Sequence, residues 1–230
     1  MLAYSWLSLS PIFWYSPLLE SICIERSKRQ MLMTSFIIRS ARPDEAPAVA
    51  RLIMEAMNHD CCQWFAGPDH TLDDFHLLMT ELVRRTDSQY SYLHTQVAAV
   101  GQEVVGVCVA YDGARLHELR QAFIGGARQS LGMDHSGMDD ETSAGEYYID
   151  CLCVAAPYRK QGIATALIKA IIKKACSLGM PSVGLLVDCG NPKAEHLYTQ
   201  IGFRYLDDNV WGGHPMRHLV IENKTLSQTL

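Results

Sequence analysis

In Tyr147-Tyr148-Ile149-Asp150-Cys151-Leu152-Cys153-Val154-Ala155-Ala156-Pro157-Tyr158-Arg159-Lys160-Gln161-Gly162-Ile163-Ala164-Thr165, a strand-like run gives way to a short basic loop and then to a helix that begins at a glycine. The first-turn N–H groups of a helix have no partner within the helix, and its dipole puts partial positive charge at the same end. Gly162 and Ala164 keep side chains out of the way, so an anion can approach the backbone, and Arg159 and Lys160 add formal charge. Such a loop suits a pyrophosphate; taken alone, it suits equally a capped helix with solvated basic side chains. A Walker loop needs two glycines followed by Lys-Ser/Thr and a dinucleotide loop needs three glycines, and neither pattern is present.

Outward from this stretch the pattern is regular. Residues 147–154 predict a strand, 162–178 a strongly amphipathic helix, 183–187 a strand, and Asn191-Pro192 the start of a short helix through Gln200. The remainder to Ile221 reads as a hairpin. Upstream, residues 36–39 predict a short strand. Pro43-Asp44-Glu45 opens a helix whose stripe is Val49, Leu52, Ile53, Ala56 and Met57. Thr71-Leu72-Asp73-Asp74 resembles a capping box ahead of a second stripe, Phe75, Leu78, Met79, Leu82 and Val83. Residues 96–100 and 104–111 form a hairpin. In 113–145, Leu116, Leu119 and Phe123 suggest a helix, followed by Gly125-Gly126 and a polar loop. Strands alternating with helices, plus an antiparallel hairpin, predict a single three-layer α/β (mixed α+β) domain: a mixed central sheet with helices on both faces. No repeat or linker divides it, so residues 34–230 read as one domain.

The 230 residues are 48% hydrophobic and 20% charged, an ordinary globular composition able to bury a core without staples. With 20 Lys and Arg against 25 acids the formal net charge is −5, the wrong sign for a nucleic-acid coat. Eight cysteines occur without a CxxC. His59-Asp60-Cys61-Cys62 could hold a metal, but buried thiols beside a helix end explain it with less, and the set of bound metals is read as none. This usage points to reduced thiols and a cytoplasmic setting. Residues 1–19 carry no charge, yet Pro11 and Pro17 interrupt them and no basic residue precedes them, which fits neither a secretory signal nor a membrane span. Residues 1–33 therefore read as an extension, either disordered or the product of a start assigned upstream of Met31 or Met33.

Arg159-x-x-Gly162-x-Ala164 resembles the Arg/Gln-x-x-Gly-x-Gly/Ala signature of the GNAT superfamily of N-acetyltransferases. Asn191-Pro192-Lys193-Ala194-Glu195-His196-Leu197-Tyr198, followed by Ile201-Gly202-Phe203, resembles that family's Asn…Ala…Leu-Tyr…Gly-Phe segment. The resemblance spans about residues 34 to 221 and is weakest over 113–145. It implies an acetyl-CoA site between two splayed parallel strands. Leu152, Cys153 and Val154 would offer backbone groups to the pantetheine arm. The amides of Gln161, Gly162, Ile163, Ala164 and Thr165, with Arg159 and Lys160, would take the pyrophosphate. Asn191 would contact the cofactor, and Tyr198 would protonate the departing thiolate.

Transfer to an amine also needs a proton acceptor. Asp150 is the first candidate and Glu146 the second, since alternation sets both on one face with Tyr148 unless a bulge intervenes. The same alternation sets Cys151 and Cys153 on the opposite face, as core thiols. Residues 129–158 hold six acids and no Lys or Arg, which suits either a solvated loop or a mouth for a cationic acceptor. Trp211-Gly212-Gly213-His214 lies in the final hairpin and reads as a turn with a packed tryptophan. The reading is an acetyl-CoA-dependent N-acetyltransferase acting by direct transfer to a small-molecule or peptide amine. It implies no membrane or nucleic-acid partner, and dimers are common among relatives. A non-catalytic acyl-CoA sensor is the alternative; it would need neither Tyr198 nor Asp150.

Overall fold

Seven short β-rich runs assemble into one sheet in the computed structural model, which describes residues 35–222. The chain divides into two units, 1–34 and 35–230, and the reading of residues 1–33 lies outside the described residues. The strands are β1 (Ile37–Ser40), β2 (Thr95–Val100), β3 (Glu103–Asp112), β4 (Glu146–Val154), β5 (Ser182–Asp188), β6 (Arg204–Trp211) and β7 (His214–Glu222). Their spatial order is β1-β2-β3-β4-β5-β7-β6, and every neighbouring pair is antiparallel except β4 and β5. The parallel pair follows from the helix that links its strands, since a crossover returns the chain to the same end of the sheet.

The helices are α1 (Ala46–Met57), α2 (His59–Ala66), α3 (Leu72–Arg84), α4 (Leu116–Leu131), α5 (Ile163–Ser177) and α6 (Pro192–Ile201). Helices α1 to α4 bury their stripes on one face of the sheet, against Val97, Val107, Val109, Cys151 and Cys153. Helices α5 and α6 cover the other, against Val105, Cys108, Ala110, Tyr147, Ile149 and Leu185. At the start of α3, Thr71 Oγ1 accepts from Asp74 N at 3.2 Å while Asp74 Oδ2 accepts from Thr71 N at 2.8 Å, a reciprocal cap.

Three local features depart from the sequence reading. Helix α4 runs through Gly125-Gly126 instead of ending there. A Cβ at 126 would come within 2.6 Å of Leu78 Cδ1, so glycine lets α4 close on α3, and the helix stops at Gly132 with φ +65°. His59–Ala66 is a separate helix, set off by Asn58 at φ +69°, whose side chain caps it. Cys62 is buried there, with Sγ 3.4 Å from the Met54 carbonyl oxygen.

The third departure is in β4. Opposite it, Val109 pairs with Cys151 and Ala110 with Ile149, leaving Asp150 without a partner. This is a β-bulge, and one extra residue cancels the alternation. Cys151 and Cys153 therefore do not lie on the face opposite Asp150. They pack in the core under α1 to α4, and Asp150 reaches Tyr111 and Gln89 on that same side.

Candidate active site

Strands β4 and β5 pair only from Glu146–Ser182 to Ile149–Leu185. Beyond that point they part, and the edge of β4 facing the gap keeps backbone groups with no strand beside them. A cavity of about 1210 Å³ fills the gap and extends along it, larger than the roughly 300–1,000 Å³ of a small-ligand pocket. It has room for a long ligand and an acceptor together.

At one end the loop after β4 turns back on itself. Lys160 adopts φ +61° and Gly162 φ +82°, two left-handed residues that crowd successive N–H groups onto one side. The first helical bond of α5 runs from Ala166 N to Gly162 O at 3.0 Å, so the amides of Ile163, Ala164 and Thr165 precede the ladder. A Cβ at 162 would meet nothing within 4 Å, which leaves the concavity open for an anion. Arg159 is already engaged: Nε donates to the Val154 carbonyl at 2.8 Å and Nη2 pairs with Glu55 at 2.7 Å. Its guanidinium pins the loop to β4 and α1, and the backbone amides with Lys160 are left for an anion.

Leu152, Val154, Arg159, Lys160, Gly162, Ile163, Ala164, Thr165, Asn191, Tyr198 and Asp150 all border this cavity. Cys153 and Gln161 do not border it. The Cys153 side chain lies in the core beneath α1, and Gln161 turns its side-chain amide to the Pro157 carbonyl at 3.4 Å. Asn191 Oδ1 accepts from Ala194 N at 3.2 Å and caps α6, leaving its amide nitrogen for other contacts. Two helical turns on, Tyr198 rests on Phe203 with ring centres 6.0 Å apart. Burial lifts its phenol above the ordinary range, and its hydroxyl makes no hydrogen bond among the described residues.

Asp150 lies at the floor of the other end. Its Oδ2 accepts from Gln89 Nε2 at 3.1 Å and from the Tyr111 hydroxyl at 3.0 Å. Burial, and then the charge of Glu141, push its pKa up to about 7. Glu141 is buried, also contacts the Tyr111 hydroxyl at 3.2 Å, and pairs with the buried Arg120 at 3.2 Å. The indole N–H of Trp211 approaches Glu141 without closing a hydrogen bond.

Glu146, the second candidate base, lies elsewhere. Its carboxylate accepts from Thr142 at 2.5 Å and meets His218 Nε2 at 2.8 Å, beside a smaller cavity of about 570 Å³ on the far flank of the sheet. The acids of the 131–146 segment are mostly spent on folding it. Asp134 pairs with Arg128, Asp139 accepts from Gly212 N at 3.0 Å, and Asp140 meets Arg120 at 3.2 Å. Among them only Glu141 borders the cavity. Trp211 and His214, assigned above to a turn, do border it, as do Trp64 and Tyr90. Gln89, Tyr111 and Arg120 escaped the sequence reading, and Glu141 figured in it only as one of the six acids of residues 129–158, because nothing in linear spacing links four residues from four segments.

Comparison with known proteins agrees with this geometry. The acetyltransferase (GNAT) family model matches residues 53–203. A crystal structure of an acetyltransferase is 25% identical, with a TM-score of 0.68 over 81% of this chain and 98% of its own. An N-acetyltransferase from Staphylococcus aureus Mu50 is 22% identical, with a TM-score of 0.67 over 80% of this chain and all of its own (100%). Mutant forms of the spermidine/spermine N-acetyltransferase from Vibrio cholerae share the fold at 15% identity, with a TM-score of 0.53 over 84% of this chain and 96% of theirs. No curated protein sequence matches the chain. No helix among the described residues is long and apolar enough to cross a membrane. A family match over most of the chain, on a fold whose parallel strands part beside an open anion cradle, makes this protein a member of the GNAT acetyltransferase family and an acyltransferase.

Proposed function

We propose that this protein transfers an acetyl group from acetyl-CoA directly to a primary amine, with both substrates in the cavity at once. The observation that carries the reading is the convergence on one cavity of the parted β4–β5 edge, the left-handed turn at Lys160 and Gly162, Asp150 and Tyr198. The free amides of Ile163, Ala164 and Thr165 bind the pyrophosphate, and Lys160 adds charge. Backbone groups of β4 around Leu152 and Val154 hold the amide-bearing arm, so that the thioester points towards Asp150. Asn191 contacts the cofactor from the start of α6.

Asp150 accepts the amine proton as the nitrogen lone pair forms its bond to the carbonyl carbon. The carbon–sulfur bond then breaks with its electrons leaving on sulfur, and Tyr198 supplies the proton that converts the thiolate to thiol. Burial disfavours the Tyr198 phenolate, so the hydroxyl keeps its proton at neutral pH and has one to give when the thiolate forms beside it. Cys151 and Cys153 take no part, since burial drives both thiols away from thiolate.

Free-thiol release measured with acetyl-CoA and a panel of chemically distinct amines tests the proposal. Turnover with at least one amine is expected, and Tyr198→Phe is expected to lower kcat by about 10²-fold with little change in the KM for acetyl-CoA. Binding of acetyl-CoA without turnover on any amine defeats the reading.

A further inference from the structure

At the end of β3 the Tyr111 hydroxyl stands between two carboxylates, 3.0 Å from Asp150 Oδ2 and 3.2 Å from Glu141 Oε1. A phenol has one proton and donates it to one acceptor at a time. The other contact is then two oxygens facing each other, unless an acid supplies the second proton. The titratable groups facing Asp150 are Tyr111 from β3, Tyr148 and Cys151 from β4, and Tyr90 from the segment before β2, with Cys108 of β3 behind the sheet. Burial raises all of these phenols and thiols above their usual range, and they stay neutral. The charges that face Asp150 are therefore Glu141 and, from α4, Arg120. Arg120 is buried against the second oxygen of Glu141 and fixes the negative charge there, which leaves Asp150 as the acid that takes the proton.

We propose that Glu141 is a positioning residue that sets, through the Tyr111 hydroxyl, how tightly Asp150 holds a proton; the proposal rests on the reading of Asp150 as the base. With Asp150 protonated, its O–H donates to the Tyr111 oxygen, and the Tyr111 O–H donates to Glu141. When Asp150 loses its proton to solvent, the hydroxyl turns to donate to Asp150, and Glu141 Oε1 is left facing oxygen lone pairs. That lost bond opposes deprotonation, so the Asp150 carboxylate is a stronger base than an isolated one. When the attacking amine gives its proton to Asp150, the hydroxyl turns back to Glu141.

The test follows the carboxyl-carbon NMR signals of Asp150 and Glu141 against pH in the full chain without substrates, in wild type, Y111F, E141Q and the double variant. E141Q is expected to weaken proton binding at Asp150 by about tenfold, and by less than about threefold when Phe already stands at 111. In the wild type the Glu141 signal is expected to move at the Asp150 midpoint, and in Y111F that movement shrinks; this readout decides the matter if E141Q does not fold. Equal effects of E141Q in both backgrounds overturn the proposal, since they show repulsion through space alone, and no effect in either overturns it too. Turnover separates the two readings. D150N with undiminished kcat/KM ends the role of Asp150 as base whatever the signals show, whereas E141Q with an unmoved pH midpoint ends the relay and leaves that base in place.

Discussion

At Asp150 the demands of stability and of the proton transfer proposed for it oppose each other. A carboxylate buried beside a second acid is costly to ionise, and its pKa of about 7 expresses that cost. For an acid whose folded pKa lies above its unfolded value, the penalty begins as pH rises past about 4 and is complete above about 7. Asp150→Asn removes it. The variant is expected to gain on the order of 2 kcal/mol at pH 8, discounted for the part of the carboxylate open to the cavity, and nothing at pH 3.5. Urea unfolding at the two pH values checks this, while kcat is expected to fall by at least about 10²-fold. The role of Arg159 shows a limit of reading residues one at a time. The sequence marks a basic side chain beside an anion cradle, but it does not show that Glu55, about a hundred positions earlier, will occupy the guanidinium.

Elements were legible wherever one physical signal dominated. The stripe of α3, the amphipathic α5 and the caps at Thr71 and Asn191 follow from local spacing; of the α1 stripe Val49, Leu52 and Ile53 are buried, whereas Ala56 is exposed and Ala46 and Ala50 are buried instead. The β4 bulge could be raised as a possibility from the family resemblance but not fixed from the residues, because it depends on register against β3 and no residue in 147–154 announces it. Gly125-Gly126 misled for a related reason. Glycine ends helices when judged locally, but here tertiary packing against Leu78 calls for it. Gly184 in β5 is a similar case. A methyl group there would collide with the Glu146 carboxylate, which His218 and Thr142 hold in place. Gly184→Ala is expected to destabilise the protein by about 1–3 kcal/mol, and thermal unfolding measures it. A loss below a few tenths would mean that Glu146 moves aside freely.

Across the whole molecule, His218 on β7 ties the final hairpin to β4, far away in sequence. Its ring meets Glu146 of β4 at 2.8 Å and Asp207 of β6 at 3.2 Å. The bond to Glu146 and the charges of both acids raise its pKa, outweighing burial. A histidine with a raised folded pKa contributes its full stabilisation below about 6.5, its unfolded value, and loses it as pH climbs through the folded one. His218→Gln is therefore expected to cost on the order of 1 kcal/mol at pH 5.5 and markedly less at pH 9, by chemical denaturation at each pH. Equal losses at both would show that shape, not charge, matters at this position.

The parting of β4 from β5 bears on more than where substrates sit. Only four residue pairs stitch the two halves of the sheet before they diverge. A guest lying in that slot with amides along its length takes the place of an absent strand, mending the seam for as long as it stays. If the proposed reaction runs in this slot, each cycle tightens the molecule on loading and slackens it on discharge, and the departure of the spent thiol is a rupture of architecture as much as a loss of contacts.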